Sequence, residues 1–103
     1  MSLDSIHLPG TIILVEGKKQ LHDIFMFAIN TCQWCKKGKE WLKKRDYAFK
    51  YLDIDNINLK EKEQLKGNLR TVFNTRLSFP FLVVDKSMFY SGFNPLEWEA
   101  MLS

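Results

Sequence analysis

The chain has 103 residues, 46% hydrophobic and 26% charged, with a formal net charge of +3. That is one domain of ordinary globular composition, and eight Phe, three Trp and three Tyr give apolar area for one core, excluding a disordered tail or a scaffold reliant on disulfide staples. The charge is too mild to argue for nucleic acid, no apolar run approaches the ~18 residues of a membrane span, and no basic-then-apolar leader opens the chain, so a cytoplasmic protein with no membrane partner is expected.

Residues 1–10 read as a flexible lead-in. Thr11 to Val15 is a short β-branched run closed by Glu16-Gly17 and predicts a strand. His22 to Ile29 is mostly apolar without alternation, which predicts a buried, central strand. Asn30-Thr31 offers capping candidates, and Gln33 to Arg45 is an amphipathic helix with cations toward its C-terminal end, where the dipole favours them. Ala48 to Ile54 alternates and predicts a strand. A second helix starts near Asn58, with Leu65, Leu69, Val72 and Phe73 as its buried stripe and Gly67, a weak helix former, inside it.

Pro80 opens Phe81 to Val84, a buried strand, and Asp85-Lys86-Ser87 turns the chain into Met88 to Tyr90. Two strands this close form an antiparallel hairpin. Asn94-Pro95 reads as an N-cap and first helical position, leading a helix that carries Leu96, Trp98, Met101 and Leu102. The order β, β, α, β, α, β, β, α predicts an α/β fold. Without the first strand, βαβ then α then ββα is the thioredoxin-like order: a central mixed four-stranded sheet flanked by helices, plus an extra N-terminal strand.

Cys32 and Cys35 are the only cysteines, three apart, at the point where the first βαβ crossover helix begins. In that context a Cys-x-x-Cys pair reads as redox chemistry. A structural zinc site needs four ligands, and beyond the pair the chain offers only His7 and His22, without finger-like spacing. Neither histidine has a visible partner or an assigned role. Two incidental helix cysteines are the other alternative. A thiolate is the reactive form of cysteine, and the unpaired amides of a helix start stabilise it. Cys32 is therefore the expected nucleophile. Cys35, one turn on and on the same face, is placed to attack a mixed disulfide at Cys32 and close an internal disulfide. Lys36 and Lys37 either assist the thiolate or form a solvated helix face. Trp34, between the cysteines, is expected at the rim as a substrate contact. Pro80 is trans by default on local grounds, and would expose the preceding backbone if cis.

From Asp23 to Ser103 the chain resembles the glutaredoxin family. The resemblance rests on the strand before Cys32-Gln33-Trp34-Cys35, the Lys-rich helix after it, the Phe79-Pro80 junction, and the Tyr90-Ser91-Gly92-Phe93-Asn94 turn before the last helix. It implies thiol–disulfide exchange with Cys32 attacking and Cys35 resolving, Gln33 and Trp34 beside the substrate, and Pro80 as a cis-proline. The Phe79 backbone would pair with an extended substrate. The Gly92-Phe93-Asn94 turn would present amides to a carboxylate such as that of glutathione. The implied partners are a disulfide-containing protein substrate and either glutathione, as co-substrate, or thioredoxin reductase, with no tightly bound cofactor.

Several positions depart from the family pattern. Gln33-Trp34 stands for Pro-Tyr, Ser78-Phe79 for Thr-Val, Ser91-Gly92 for Gly-Gly, and Ile29 for a basic residue. The Ser91-Gly92-Phe93 and Pro95 pattern is similar to the glutaredoxin-like hydrogen donors of ribonucleotide reductase, which take electrons from thioredoxin reductase. A second reading keeps the fold but uses the pair as a redox-sensitive contact, or to hold a metal or iron–sulfur cluster, without turnover. The segment Asn58 to Ser78 is a few residues longer than usual, and the first strand carries no assigned function.

Overall fold

The computed structural model describes residues 2–103. Strand β1 (Ile13–Val15) and strand β2 (Ile24–Ala28) precede helix α1 (Gln33–Lys44), strand β3 (Phe49–Asp53) and helix α2 (Leu59–Phe73). Strands β4 (Phe81–Val84) and β5 (Met88–Ser91) and helix α3 (Pro95–Leu102) complete the order. The five strands form one sheet in the order β1-β3-β2-β4-β5. The β2–β3 pair is parallel, with α1 as the crossover, while β2–β4, β4–β5 and β1–β3 are antiparallel. The predicted extra strand is thus a fifth strand at one edge.

All five residues of β2 are buried, as a central strand covered on both faces requires. Alternation sends Phe25 and Phe27 to one face, where they meet Leu65, Leu69 and Phe73 of α2 with Phe81 and Val83 of β4. Ile24, Met26 and Ala28 go to the other face, against Trp41 and Leu42 of α1 and Trp98 and Leu102 of α3. Each helix starts on a side-chain cap: Cys32 for α1, Asn58 for α2 and Asn94 for α3, with Pro95 at the first helical position. Helix α2 ends on Asn74 in the left-handed region, whose amide returns to the Arg70 carbonyl. Gly67 faces open space, so it weakens the helix without interrupting it.

Two expectations are corrected. Residues 2–10 are not a loose lead-in: Leu3–Ser5 forms a 3-10 turn, Leu3 and Ile6 are buried in the α2-side core, and the Leu3 amide donates to Lys86 O at 2.7 Å. Met1 lies outside the described residues. His22 does have a partner: its Nδ1 lies 2.8 Å from Asp85 Oδ2, linking the start of β2 to the turn after β4. The other Asp85 oxygen accepts from the Asp23 amide at 2.9 Å, and these contacts hold the Asp85 carboxyl below its ordinary value. Leu96, named among the apolar residues of α3, is 79% exposed, and Trp98 and Leu102 carry the buried face.

Candidate active site

The chain leaves β2 at Ala28 and makes a tight approach to α1. Cys32 N donates to Ile29 O at 3.1 Å, and both Asp55 carboxylate oxygens accept from Asn30 N at 3.1 Å. These contacts set Cys32 at the N-cap with extended backbone. The sulfur takes the position a capping oxygen usually holds, accepting from the Cys35 amide at 3.2 Å. That hydrogen bond is one a thiolate accepts well, at the positive end of the helix dipole. Cys32 is half-buried, and Cys32 Sγ lies 3.8 Å from the Phe79 carbonyl oxygen.

Cys35 sits one turn on, 1% exposed, with both sulfurs free thiols. The Ile29 amide donates to Cys35 Sγ at 3.5 Å. Burial, then the hydrogen bond to Cys32, pushes the Cys35 thiol up to about 12, against weaker lowering by the Ile29 amide and the charge on Lys39. Lys39 follows Cys35 by four residues on α1. Its Nζ lies 3.1 Å from Oδ1 of the buried Asp53 and 3.9 Å from the centre of the Tyr51 ring. In register, Asp53 is the β3 partner of Ala28, so the ion pair ties α1 to the end of β3 beside the last residue of β2.

The Phe79-Pro80 peptide bond is cis, against the local default and as the resemblance implied. Pro80 is buried, and Phe79 packs partly against both faces of the core. Ser91 Oγ accepts from Ser78 N at 2.7 Å and donates to Arg76 O at 2.9 Å, tying β5 to the segment before Pro80. Gly92, at φ 102°, donates its amide to Pro80 O at 2.9 Å, and its carbonyl accepts from Trp98 Nε1 at 3.1 Å. Within the Gly92-Phe93-Asn94 turn, the Gly92 amide is thus engaged inside the fold. Asn94 Oδ1 accepts from Glu97 N at 3.3 Å, capping α3. Phe93 meets Trp98 edge-on at 4.9 Å. Gln33 is exposed and Trp34 is 58% exposed beside the cysteines, with Lys37 Nζ 4.6 Å from the indole centre.

The fold brings Cys32, Cys35, Phe79 and Pro80 together at one end of the sheet, with Trp34 and Phe93 at the margins. Sequence reasoning missed the Ile29 backbone contacts, the Lys39–Asp53 pair and Gly38. The last two left weak signals: Lys39 falls one turn after Cys35, and Gly38 is a glycine inside an otherwise regular helix. No helix among the described residues is long and apolar enough to cross a membrane.

This sheet order, with a parallel β2–α1–β3 unit and a redox pair at its crossover, defines a thioredoxin-like protein. The glutaredoxin family pattern matches residues 24–89, more than half of the chain, and the chain belongs to that family. It is 27% identical over 79 residues to a glutaredoxin-like 8.6 kDa protein in the rubredoxin operon of Clostridium pasteurianum, covering 77% of this chain and 96% of that one. The crystal structure of the glutaredoxin from Methanosarcina mazei Go1 is similar with a TM-score of 0.76 and 29% identity, covering 89% of this chain and 87% of that one. Methanosarcina acetivorans methanoredoxin is similar at 0.72 and 27% identity, over 82% of this chain and 87% of that one. Family and fold together make this a thiol redox protein.

Proposed function

We propose that the protein is a dithiol oxidoreductase that reduces disulfides of protein or small-molecule substrates through Cys32 and Cys35. The observation that carries this reading is the asymmetry of the pair. One sulfur is half-open at a helix cap and accepts an amide hydrogen bond, and the other is sealed beneath it as a thiol. In the first step the Cys32 thiolate attacks a substrate disulfide, forming a Cys32–substrate mixed disulfide and releasing one substrate sulfur, which takes up a proton. The Cys35 thiol then gives up its proton and attacks Cys32 Sγ. The second substrate sulfur leaves as a thiol, and an internal Cys32–Cys35 disulfide holds the oxidising equivalents. Two electrons have moved to the substrate, and an external thiol reductant must restore the pair.

The Phe79 carbonyl beside Cys32 supports backbone pairing with an extended substrate, flanked by Gln33, Trp34 and Phe93. Asn94 shapes the end of that surface as the α3 cap. The apolar Ile29, packed against the core, offers no charge to a glutathione carboxylate. With Ser91-Gly92-Phe93, this favours a reductase protein over glutathione as the electron source. The cytoplasm, where thiols are kept reduced, suits this chemistry.

The test is single turnover with pre-reduced protein and a disulfide substrate. Cys32→Ser should abolish exchange, and Cys35→Ser should trap the mixed disulfide on Cys32. Full activity in Cys32→Ser would sink the assignment. Supplying thioredoxin reductase or glutathione with its reductase then identifies the donor.

A further inference from the structure

Helix α1 carries five lysines and one glutamate, a net charge of +4, whereas the whole chain nets +3, so the rest of the molecule is slightly acidic. Only Lys39 among these lysines turns inward to a carboxylate, and Lys36, Lys37, Lys43 and Lys44 are exposed and form no ion pair among the described residues. Lys43 and Lys44 suit the helix C-terminus, but Lys36 and Lys37 lie near its positive end, where the dipole disfavours cations. Helix α3 has Glu97 in its first turn and α2 has Glu61 there between Lys60 and Lys62, while α1 has no acid in its first turn. The helix dipole therefore does not account for Lys36 and Lys37.

The same face holds a groove of about 250 Å³ between α1 and the loop before α3, lined by Lys37, Glu40, Trp41, Lys44, Arg45 and Phe93. Its aromatic wall is fixed: Arg45 stacks over the Trp41 ring at 4.0 Å, and Trp41 and Phe93 each meet Trp98 edge-on. Three cations against one carboxylate rim this groove. It adjoins the cysteine site, because Lys37 lies over the exposed Trp34, which stands between the two cysteines in sequence, and Phe93 and Cys32 both pack against the same buried cluster.

We propose that this groove docks an acidic segment flanking the disulfide of a protein substrate, carboxylates meeting Lys37, Lys44 and Arg45 and an apolar side chain meeting Trp41 and Phe93. The inference rests on the thiol-exchange reading and narrows its substrate class. Charges at such a rim act mainly on encounter rate and are screened by salt.

Pre-reduced protein is mixed with two oxidised peptides sharing one disulfide loop, one flanked by Asp and Glu and the other by Asn and Gln, and second-order rate constants are compared. The acidic peptide should react about tenfold faster at low salt. That preference should vanish in high salt and in the Lys37→Glu/Lys44→Glu variant, and be partly lost in Lys44→Glu. Equal rates for the two peptides, or a preference that survives charge reversal, would overturn the proposal alone. Binding to phosphatidylserine vesicles without any peptide preference would assign the cations to a lipid surface and overturn it too. If neither peptide is reduced, thiol exchange fails and this proposal falls with it.

Discussion

At the scale of single residues, the two sulfurs differ in environment far more than in sequence position. Three residues of helix separate a half-open cap from a site 1% exposed. The expected consequence is selective alkylation. Native reduced protein should take up one equivalent of iodoacetamide quickly, on Cys32, and a second on Cys35 only after unfolding. Equal labelling of both thiols would contradict the buried placement. The Cys35 shift also predicts a pH effect of definite sign. Its folded value, about 12, lies above the ordinary 9.0, so the folded state keeps a proton that the unfolded chain loses first. The corresponding stability is complete below pH 9 and is lost progressively as pH rises from there toward 12. Urea midpoints of wild type and Cys35→Ala should therefore converge across that window.

At the scale of elements, the site depends on how closely α1 approaches α3 and the Pro80 segment. A Cβ built on Gly38 would lie 2.9 Å from the Trp98 ring and 3.4 Å from Pro80 Cγ. Trp98 is fully buried and has no room to retreat. Gly38→Ala would gain helix propensity of up to about 1 kcal/mol, but the overpacking cost of roughly 1–3 kcal/mol should win. A net loss of about 1 kcal/mol in urea denaturation is expected, with slower exchange because the contact touches Pro80 beside Cys32. A stabilised Gly38→Ala variant would show that the helices separate more freely than this contact implies.

For the whole molecule, the chain's first residues belong to the core. Leu3 and Ile6 cover the α2 face, Pro9 is buried, and Lys86 receives both the Leu3 amide and an ion pair from Asp4 at 3.1 Å. Removing residues 1–9 uncovers these apolar contacts. A loss of about 3 kcal/mol is expected from two buried aliphatic side chains, which lowers Tm by roughly 15 °C in a domain of this size. Unchanged thermal unfolding of the truncated protein would return this segment to the role of a loose leader. Leu3, Ile6 and Leu8 pack in the α2-side core whereas Cys32 and Cys35 pack in the cluster on the other face of the sheet, so exchange by the truncated protein should persist at temperatures where it remains folded.

Much of this architecture was legible in the order of residues. The run Phe81 to Val84, the stripe from Leu65 to Phe73, and the Asn94-Pro95 cap each rest on backbone sterics and side-chain period, which act within a few residues. Cys32 could be placed at a helix start for the same reason. Other features join residues distant in the chain: Lys39 with Asp53, His22 with Asp85, Ser91 with Ser78, Leu3 with Lys86, and the approach of Gly38 to Trp98. Their existence depends on how the layers dock, because a side chain's partner across the core is set by register and crossing geometry, not by its neighbours in sequence. The cis bond before Pro80 is of the same kind, since local preference alone points to trans. The sequence by itself therefore determined where the redox pair stands on the fold, and only the tertiary structure decided which sulfur is open, which is sealed, and what surrounds them.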